Sequence, residues 1–286
     1  MFFKDRFLEW FIKIITLITS LIIFLVIFFI INEGIPIFRE VGIKNFVFGT
    51  NWSPIGVDKH YGILNFILGS MYVSLLAICI AMPIGFGCSV FLCYMVKKRI
   101  RKLIISFIDM IAGLPSVIFG FIGLIILVKF FEIRLGMTTG ECVLCGGVLL
   151  GVMILPFIID NCLESIQDGK ELYERSSLDL GVSRWYTLRR VIIPYSKKSI
   201  LLSSILGFSR AMGETMAVMM VIGNSPIMPK LLGKGETIPS LIALEMGSVE
   251  YGSLHYSALY GAGLVLIVIL LGCNIVFSSL KNIKRG

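Results

Sequence analysis

Residues 61–96 read YGILNFILGSMYVSLLAICIAMPIGFGCSVFLCYMV, 36 positions without an Asp, Glu, Lys, Arg or His. A helix needs about 20 apolar residues to cross a hydrocarbon layer ~30 Å thick, so this run is more than long enough. In hydrocarbon every backbone N–H and C=O must pair within the structure, which favours a helix over any irregular conformation. Pro83, Gly69, Gly85 and Gly87 are candidate bends in it.

Five further apolar stretches lie outward from this one: Ile14–Ile31, Leu103–Val128, Cys142–Ile159, Ser199–Ile222 and Tyr256–Leu280. The chain is 57% hydrophobic and only 15% charged, with a mean hydropathy of +0.93. Soluble domains run to about 25% charged. The expectation is an all-α integral membrane protein with six transmembrane helices. Ile14–Ile31 reads as a retained first helix rather than a leader, because Asn32-Glu-Gly-Ile-Pro36 lacks a small-residue cleavage pattern.

A formal charge of +8 could point to nucleic acid, but the basic residues sit in short connections between apolar spans. One side collects Lys4, Arg6 and Lys13, five in Lys97–Lys102, seven in Lys170–Lys198, and Lys281, Lys284 and Arg285. The other side has Arg39, Lys44, Lys59, Lys129, Arg134, Lys230 and Lys234. The positive-inside rule then places both termini in the cytoplasm of a plasma-membrane protein. His60 and His255 fall at outer ends and read as solvated. Trp10, Trp52 and Trp185 read as interfacial anchors. Asp109 reads as an interfacial carboxylate. Cys142 and Cys145 form a lone C-x-x-C with no second pair and no nearby histidine, which argues for packing rather than a metal.

Two connections are long. Asp160–Lys198 is a basic-side loop with helix-favouring runs, and Ser225–His255 contains Thr237–Met246, suited to a short re-entrant helix buried in protein. No internal repeat is evident.

Chemistry concentrates in the fifth stretch, Gly207-Phe-Ser-Arg210-Ala-Met-Gly-Glu214-Thr-Met-Ala-Val-Met-Met-Val-Ile-Gly-Asn224. Spacing of four on a continuous helix would stack Arg210 and Glu214 on one face. Ionisable groups at membrane depth line a substrate path or pair with one another. Arginine suits an oxyanion because its planar fork donates to two oxygens at once. Glu214 would then balance Arg210 so that the anion can leave. The competing reading is a structural ion pair with no substrate contact. Gly207, Gly213 and Gly223 would let neighbouring helices approach closely.

Within the long basic-side loop the chain reads Arg175-Ser-Ser-Leu-Asp-Leu-Gly181-Val-Ser-Arg-Trp185-Tyr-Thr-Leu-Arg-Arg-Val191-Ile-Ile-Pro194. Gly181 supplies a left-handed helix stop, and Pro194 opens the next helix. This helix–turn–helix resembles the EAA loop of ABC-transporter membrane subunits: E-A-A, three residues, G, nine residues, I-x-L-P. Gly181, Val191, Ile193 and Pro194 keep that register, while Arg175, Ser176 and Ser177 occupy the E-A-A positions and Glu174 lies one place early. Together with Gly113-Leu-Pro-Ser-Val-Ile-Phe-Gly120 and the Arg210–Asn224 stretch, the chain is similar to phosphate-system permeases of the PstC type. These belong to the binding-protein-dependent inner-membrane components that also include sulfate permeases (CysTW-like).

The resemblance implies a type I ABC importer permease fold. Residues 1–64 would form an N-terminal transmembrane helix and outer loop. Residues 65–286 would form a five-helix ABC transmembrane type-1 domain, with a coupling loop at about 165–195. It also implies a non-enzymatic subunit that binds no cofactor directly, ATP being used by a partner. The implied partners are inorganic phosphate, a second PstA-like permease, a PstB-like ATPase dimer and an extracytoplasmic PstS-like binding protein. No G-x-x-x-x-G-K-[ST] phosphate loop occurs in the chain itself. The alternatives are a permease for molybdate or sulfate, or a proton-coupled secondary anion carrier using Glu214. An intramembrane enzyme is disfavoured by the lack of a metal cluster or a Ser–His or Ser–Lys pairing.

Overall fold

The computed structural model describes residues 2–282, with side chains from 9 to 275. Lys4, Arg6, Lys281, Lys284 and Arg285, used above for orientation, lie outside the residues whose side chains are described. In chain order the elements are α1 (Phe2–Glu40), α2 (Ile43–Phe48), β1 (Trp52–Ser53), β2 (His60–Tyr61), α3 (Leu64–Tyr94), α4 (Lys98–Ala112) and α5 (Ser116–Ile122). Next come a π-helical turn at Gly123–Val128, α6 (Lys129–Leu135), α7 (Val143–Asp179), α8 (Arg184–Thr187) and a second π-helical turn at Leu188–Ile192. α9 (Ile193–Met212), α10 (Met216–Met219), α11 (Ile238–Glu245) and α12 (Leu254–Asn282) complete the fold. Among the described residues six helical runs are long and apolar enough to cross a membrane. β1 and β2 pair antiparallel, Trp52 opposite Tyr61.

The centre is α3 against α7 against α9. Val73, Ala77 and Ala81 of α3 interlock with Leu150, Ile154 and Ile158 of α7 and with Ala211 of α9. Lipid is as apolar as these side chains, so association here rests on close packing and small residues rather than on escape from water. Ile158 shows the principle. A Cβ on Gly85 would lie 2.6 Å from its Cγ2, and one on Gly207 2.9 Å from its Cδ1. Gly69 and Gly85 of α3 therefore serve contact, whereas Gly87 has open space beside it, and the helix runs unbroken from Leu64 to Tyr94.

Four boundaries differ from the sequence reading. The third stretch is two helices, because Gly113-Leu-Pro115 interrupts it and the span proper is Ser116–Leu135. The residue before a proline is pushed out of the α region, and Pro115 is the non-helical residue immediately before α5. The supposed loop Asp160–Lys198 is nearly all helix: α7 continues to Asp179, and a helical run resumes at Arg184 and reaches Met212. Hydropathy marks where a helix leaves the membrane, not where it ends. Pro194 does fall in the first turn of α9, but that helix follows directly on a π-helical turn rather than on a loop. The π-helical turn just before it lets the chain absorb the missing N–H. Finally, the fifth stretch breaks after Met212.

Beyond that break the chain covers the start of α7. The N–H groups of Cys142, Val143 and Leu144 donate to the carbonyls of Val221, Gly233 and Leu231 at 3.2, 3.0 and 2.9 Å. These are first-turn donors that a helix cannot satisfy itself. Cys142 adds its Sγ as acceptor for the N–H of Cys145 at 3.3 Å. Both thiols are free and buried, Cys142 as a cap and Cys145 as core. Thr237–Met246 does contain a helix, α11, opened by a capping box in which Thr237 and Ser240 bond each other's backbone.

Candidate functional site: a lone arginine at depth and a clamped turn

Arg210 lies in the last turn of α9, and Gly213 ends that helix with φ −88° and ψ −4°. Glu214 therefore falls in a break between α9 and α10, off the face that carries Arg210. Among the described residues no carboxylate approaches Arg210 within the 4.0 Å of an ion pair. The stacked pair expected from the spacing does not form, because it presumed a continuous helix. Glu214 instead turns forward, its Oε1 accepting from the N–H of Ala217 at 3.4 Å, at the start of α10. The backbone of the break stays satisfied, with the N–H of Gly213 donating to Arg210 O and that of Glu214 to Ala211 O, at 3.3 and 3.2 Å. Gly213 and Gly223 act in turns, Gly223 with φ +91° and with the Lys234 side chain against it, while Gly207 is a helix-contact glycine.

The Arg210 guanidinium is exposed on the subunit's own surface, its carbon 6.0 Å from the ring centre of Phe157. Phe157 is fourteen residues into α7. At 1.5 Å per residue that is roughly 20 Å from the helix start, well inside a ~30 Å hydrocarbon layer. Among the described residues this cation has an aromatic face beside it and no counter-ion, an arrangement that leaves its donors open to an anion.

A second constellation lies at the end of the bundle that carries Lys97–Lys102. There α7 stops in a Schellman turn: the N–H of Val182 donates to Ser177 O and that of Gly181 to Leu178 O, both at 2.9 Å. Gly181 takes φ +76°, with nothing within 4 Å of where its Cβ would be, so only backbone conformation selects glycine. Arg175, Ser176 and Ser177 fall in the last turns of α7, and Ser183 caps α8 through the N–H of Tyr186 at 3.4 Å.

This turn is tied to the end of α3 by residues the sequence reading passed over. Lys170 donates to Cys93 O at 3.0 Å and sits 4.4 Å above the Tyr94 ring. Trp185 stacks on the same Tyr94 ring, at 6.2 Å and 26° between planes. Glu174 lies between Lys170 at 3.8 Å and Arg184 at 3.7 Å. Glu174 was the displaced acid of the loop pattern, and Trp185 had read as an interfacial anchor.

At the opposite end Glu245 of α11 accepts from Trp52 Nε1 at 3.1 Å and lies 2.7 Å from His255 Nε2. Trp52 and His255 also meet edge to face at 5.9 Å. His255 and Trp52 are thus parts of a tertiary latch, not solvated or interfacial groups. His60 is exposed as expected.

These features define a multi-span membrane protein with a helix–turn–helix at one end and an exposed arginine at depth. Comparison with known proteins agrees. Residues 81–283 match the family described as binding-protein-dependent transport system inner membrane component. The chain belongs to that family. It is 35% identical to the probable ABC transporter permease protein YqgH of Bacillus subtilis, over 82% of this chain and 77% of that one. The probable phosphate transport system permease protein PstC of Methanocaldococcus jannaschii is also 35% identical, over 85% and 83%. PstC of Haemophilus influenzae is 32% identical over 79% and 76%. Among solved structures, the inward-facing MetNI methionine ABC transporter aligns with a TM-score of 0.60 at 13% identity, over 78% of this chain and 96% of that one. An amino acid ABC transporter with histidines aligns at 0.54 and 15%, over 77% and 92%. The fold is that of an ABC importer permease.

Proposed function

We propose that this chain is one of two permease subunits of an ATP-driven importer of inorganic phosphate in a plasma membrane, with both termini cytoplasmic. The observation that carries the reading is Arg210, a guanidinium at membrane depth with no ion-pair partner among the described residues. An anion passing it would meet a bidentate donor. The likeness to PstC permeases of two organisms narrows the anion to phosphate.

Residues 1–64 act as an accessory helix and outer segment, and residues 65–286 as the transport domain. ATP is hydrolysed in a separate PstB-like dimer docked on the turn around Gly181, and this subunit holds no cofactor itself. Closure of that dimer pushes α7 and α8. Lys170 and Trp185 pass the push to α3, and the helices carrying Arg210 alternate between inward and outward access beside a PstA-like subunit. A PstS-like binding protein delivers phosphate from outside. Glu214 sets where α10 starts and tempers the field of Arg210 through space.

The test is uptake of labelled phosphate by phosphate-starved cells with and without the gene, challenged by excess arsenate, sulfate or molybdate. Gene-dependent uptake blocked by arsenate alone is the expected result. Unchanged uptake in the deletion, with no second transporter expressed, sinks the phosphate assignment. Blockade by sulfate or molybdate reassigns the substrate to another oxyanion.

A further inference from the structure

The start of α4, with Lys97 just before it, carries Lys97, Lys98, Arg99, Arg101 and Lys102 within six residues. Among the described residues none of the five is in an ion pair, and all but Arg101 are exposed. α4 buries no residue fully. One side, with Ile104, Ile105 and Ile108, packs on Leu163 and Ile166 of α7. On the other, Arg99 heads a stripe of Leu103, Phe107 and Met110 at helical spacing, and these three are 61%, 63% and 63% exposed.

Depth follows from the neighbours. α3 has 31 residues, about 46 Å of helix, against the ~40–45 Å of a bilayer with its headgroups. If Leu64 starts at one surface, Lys97 lies among the headgroups of the other. α4 then runs back along α7. Arg101 shares a cavity of about 340 Å³ with Gln167, Lys170 and Glu174, while Asp109, eight residues on, faces Asp160. The basic cluster therefore sits at headgroup depth and the apolar stripe rises from it toward the acyl chains.

We infer that the Lys97–Lys102 turn and the Leu103–Phe107–Met110 stripe form a binding site for anionic phospholipid of the cytoplasmic leaflet. Four exposed like charges with no ion pair among the described residues, beside Arg101 in its cavity with Glu171 and Glu174, match a negatively charged surface, and an apolar stripe contiguous with them matches the chains below it. The site adjoins the clamp, because Tyr94, three residues before Lys97, carries both Lys170 and Trp185. A bound headgroup would steady the turn through which ATPase motion reaches α3. The inference rests on the orientation proposed above.

The test uses the assembled transporter in liposomes of phosphatidylcholine with or without phosphatidylglycerol. ATPase rate and phospholipid retained by the intact complex in mass spectrometry are the two readouts. Neither depends on which solute is carried, so failure of the phosphate assignment leaves the test intact. Phosphatidylglycerol should raise the ATPase rate at least about threefold. The triple variant Lys97→Gln, Lys98→Gln, Lys102→Gln should lose that response and the retained lipid, while the same three changed to Arg should keep both. Indifference of the wild type to phosphatidylglycerol overturns the proposal, as does an unchanged response in the Gln variant. Separation of the Gln variant from the second permease would assign this face to the subunit interface instead, and equally overturn it.

Discussion

At the scale of single residues, Arg210 gives the sharpest expectation. Arg210→Gln should abolish uptake, by tenfold or more, without changing assembly or basal ATPase rate. Arg210→Lys should restore only part, because an ammonium offers a point charge rather than a fork. Because no carboxylate pairs with Arg210, removing it strands no buried counter-charge. A loss of transport with normal assembly then reports on the anion. Glu236 gives a second expectation. It is 6% exposed, and burial, with the like charge of Glu245 nearby, raises its carboxyl from 4.5 to about 7. A raised carboxyl is easier to bury protonated than ionised. Stability present below pH ~4.5 is thus lost as the pH rises to about 7, on the order of 2–3 kcal/mol in all. Glu236→Gln should flatten that part of the melting-temperature profile. An identical profile in wild type and variant would refute the assignment.

At the scale of elements, the Schellman turn at Gly181 makes a distinction that sterics alone would not. Nothing crowds the position of its missing Cβ, so the penalty on any other residue is the left-handed backbone, roughly 1–2 kcal/mol. Asn tolerates that region better than β-branched residues do. Gly181→Asn should keep phosphate-stimulated ATPase activity near wild type, whereas Gly181→Val should uncouple it. Equal behaviour of the two would show that the turn does not carry coupling. The clamp yields a parallel test. Lys170→Met keeps the stem over Tyr94 but removes the bond to Cys93 O and the partner of Glu174. ATP hydrolysed per phosphate transported should rise severalfold, with the ATPase still bound. An unchanged ratio would show that α3 is not driven through Lys170.

At the scale of the whole molecule, this chain is one part of a machine. Alone in liposomes under a pH gradient it should transport nothing. Transport should appear only with the second permease, the ATPase and ATP. Gradient-driven uptake by the isolated chain would instead revive the secondary carrier. Much of this architecture was legible in the sequence. Charge-free runs such as 61–96 fix membrane helices, because hydrocarbon admits few other conformations, and a glycine ten residues before Val191-Ile-Ile-Pro194 marks a turn whose φ few other residues adopt. Less legible were helix limits in charged segments. Hydropathy reports the solvent around a helix, so it ended α7 at Ile159, although the helix continues to Asp179.

The sequence by itself determined the membrane-helical class, the six spans and the place of the left-handed turn at Gly181, since each depends on solvent and backbone chemistry over neighbouring residues. Only the tertiary structure decided that Arg210 and Glu214 part company at Gly213, that Lys170, Tyr94 and Trp185 converge, and that His255 closes on Glu245 beside Trp52. The first turns on a helix break that spacing alone does not show, and the other two join residues whose spacing carries no period, so packing alone brings them together.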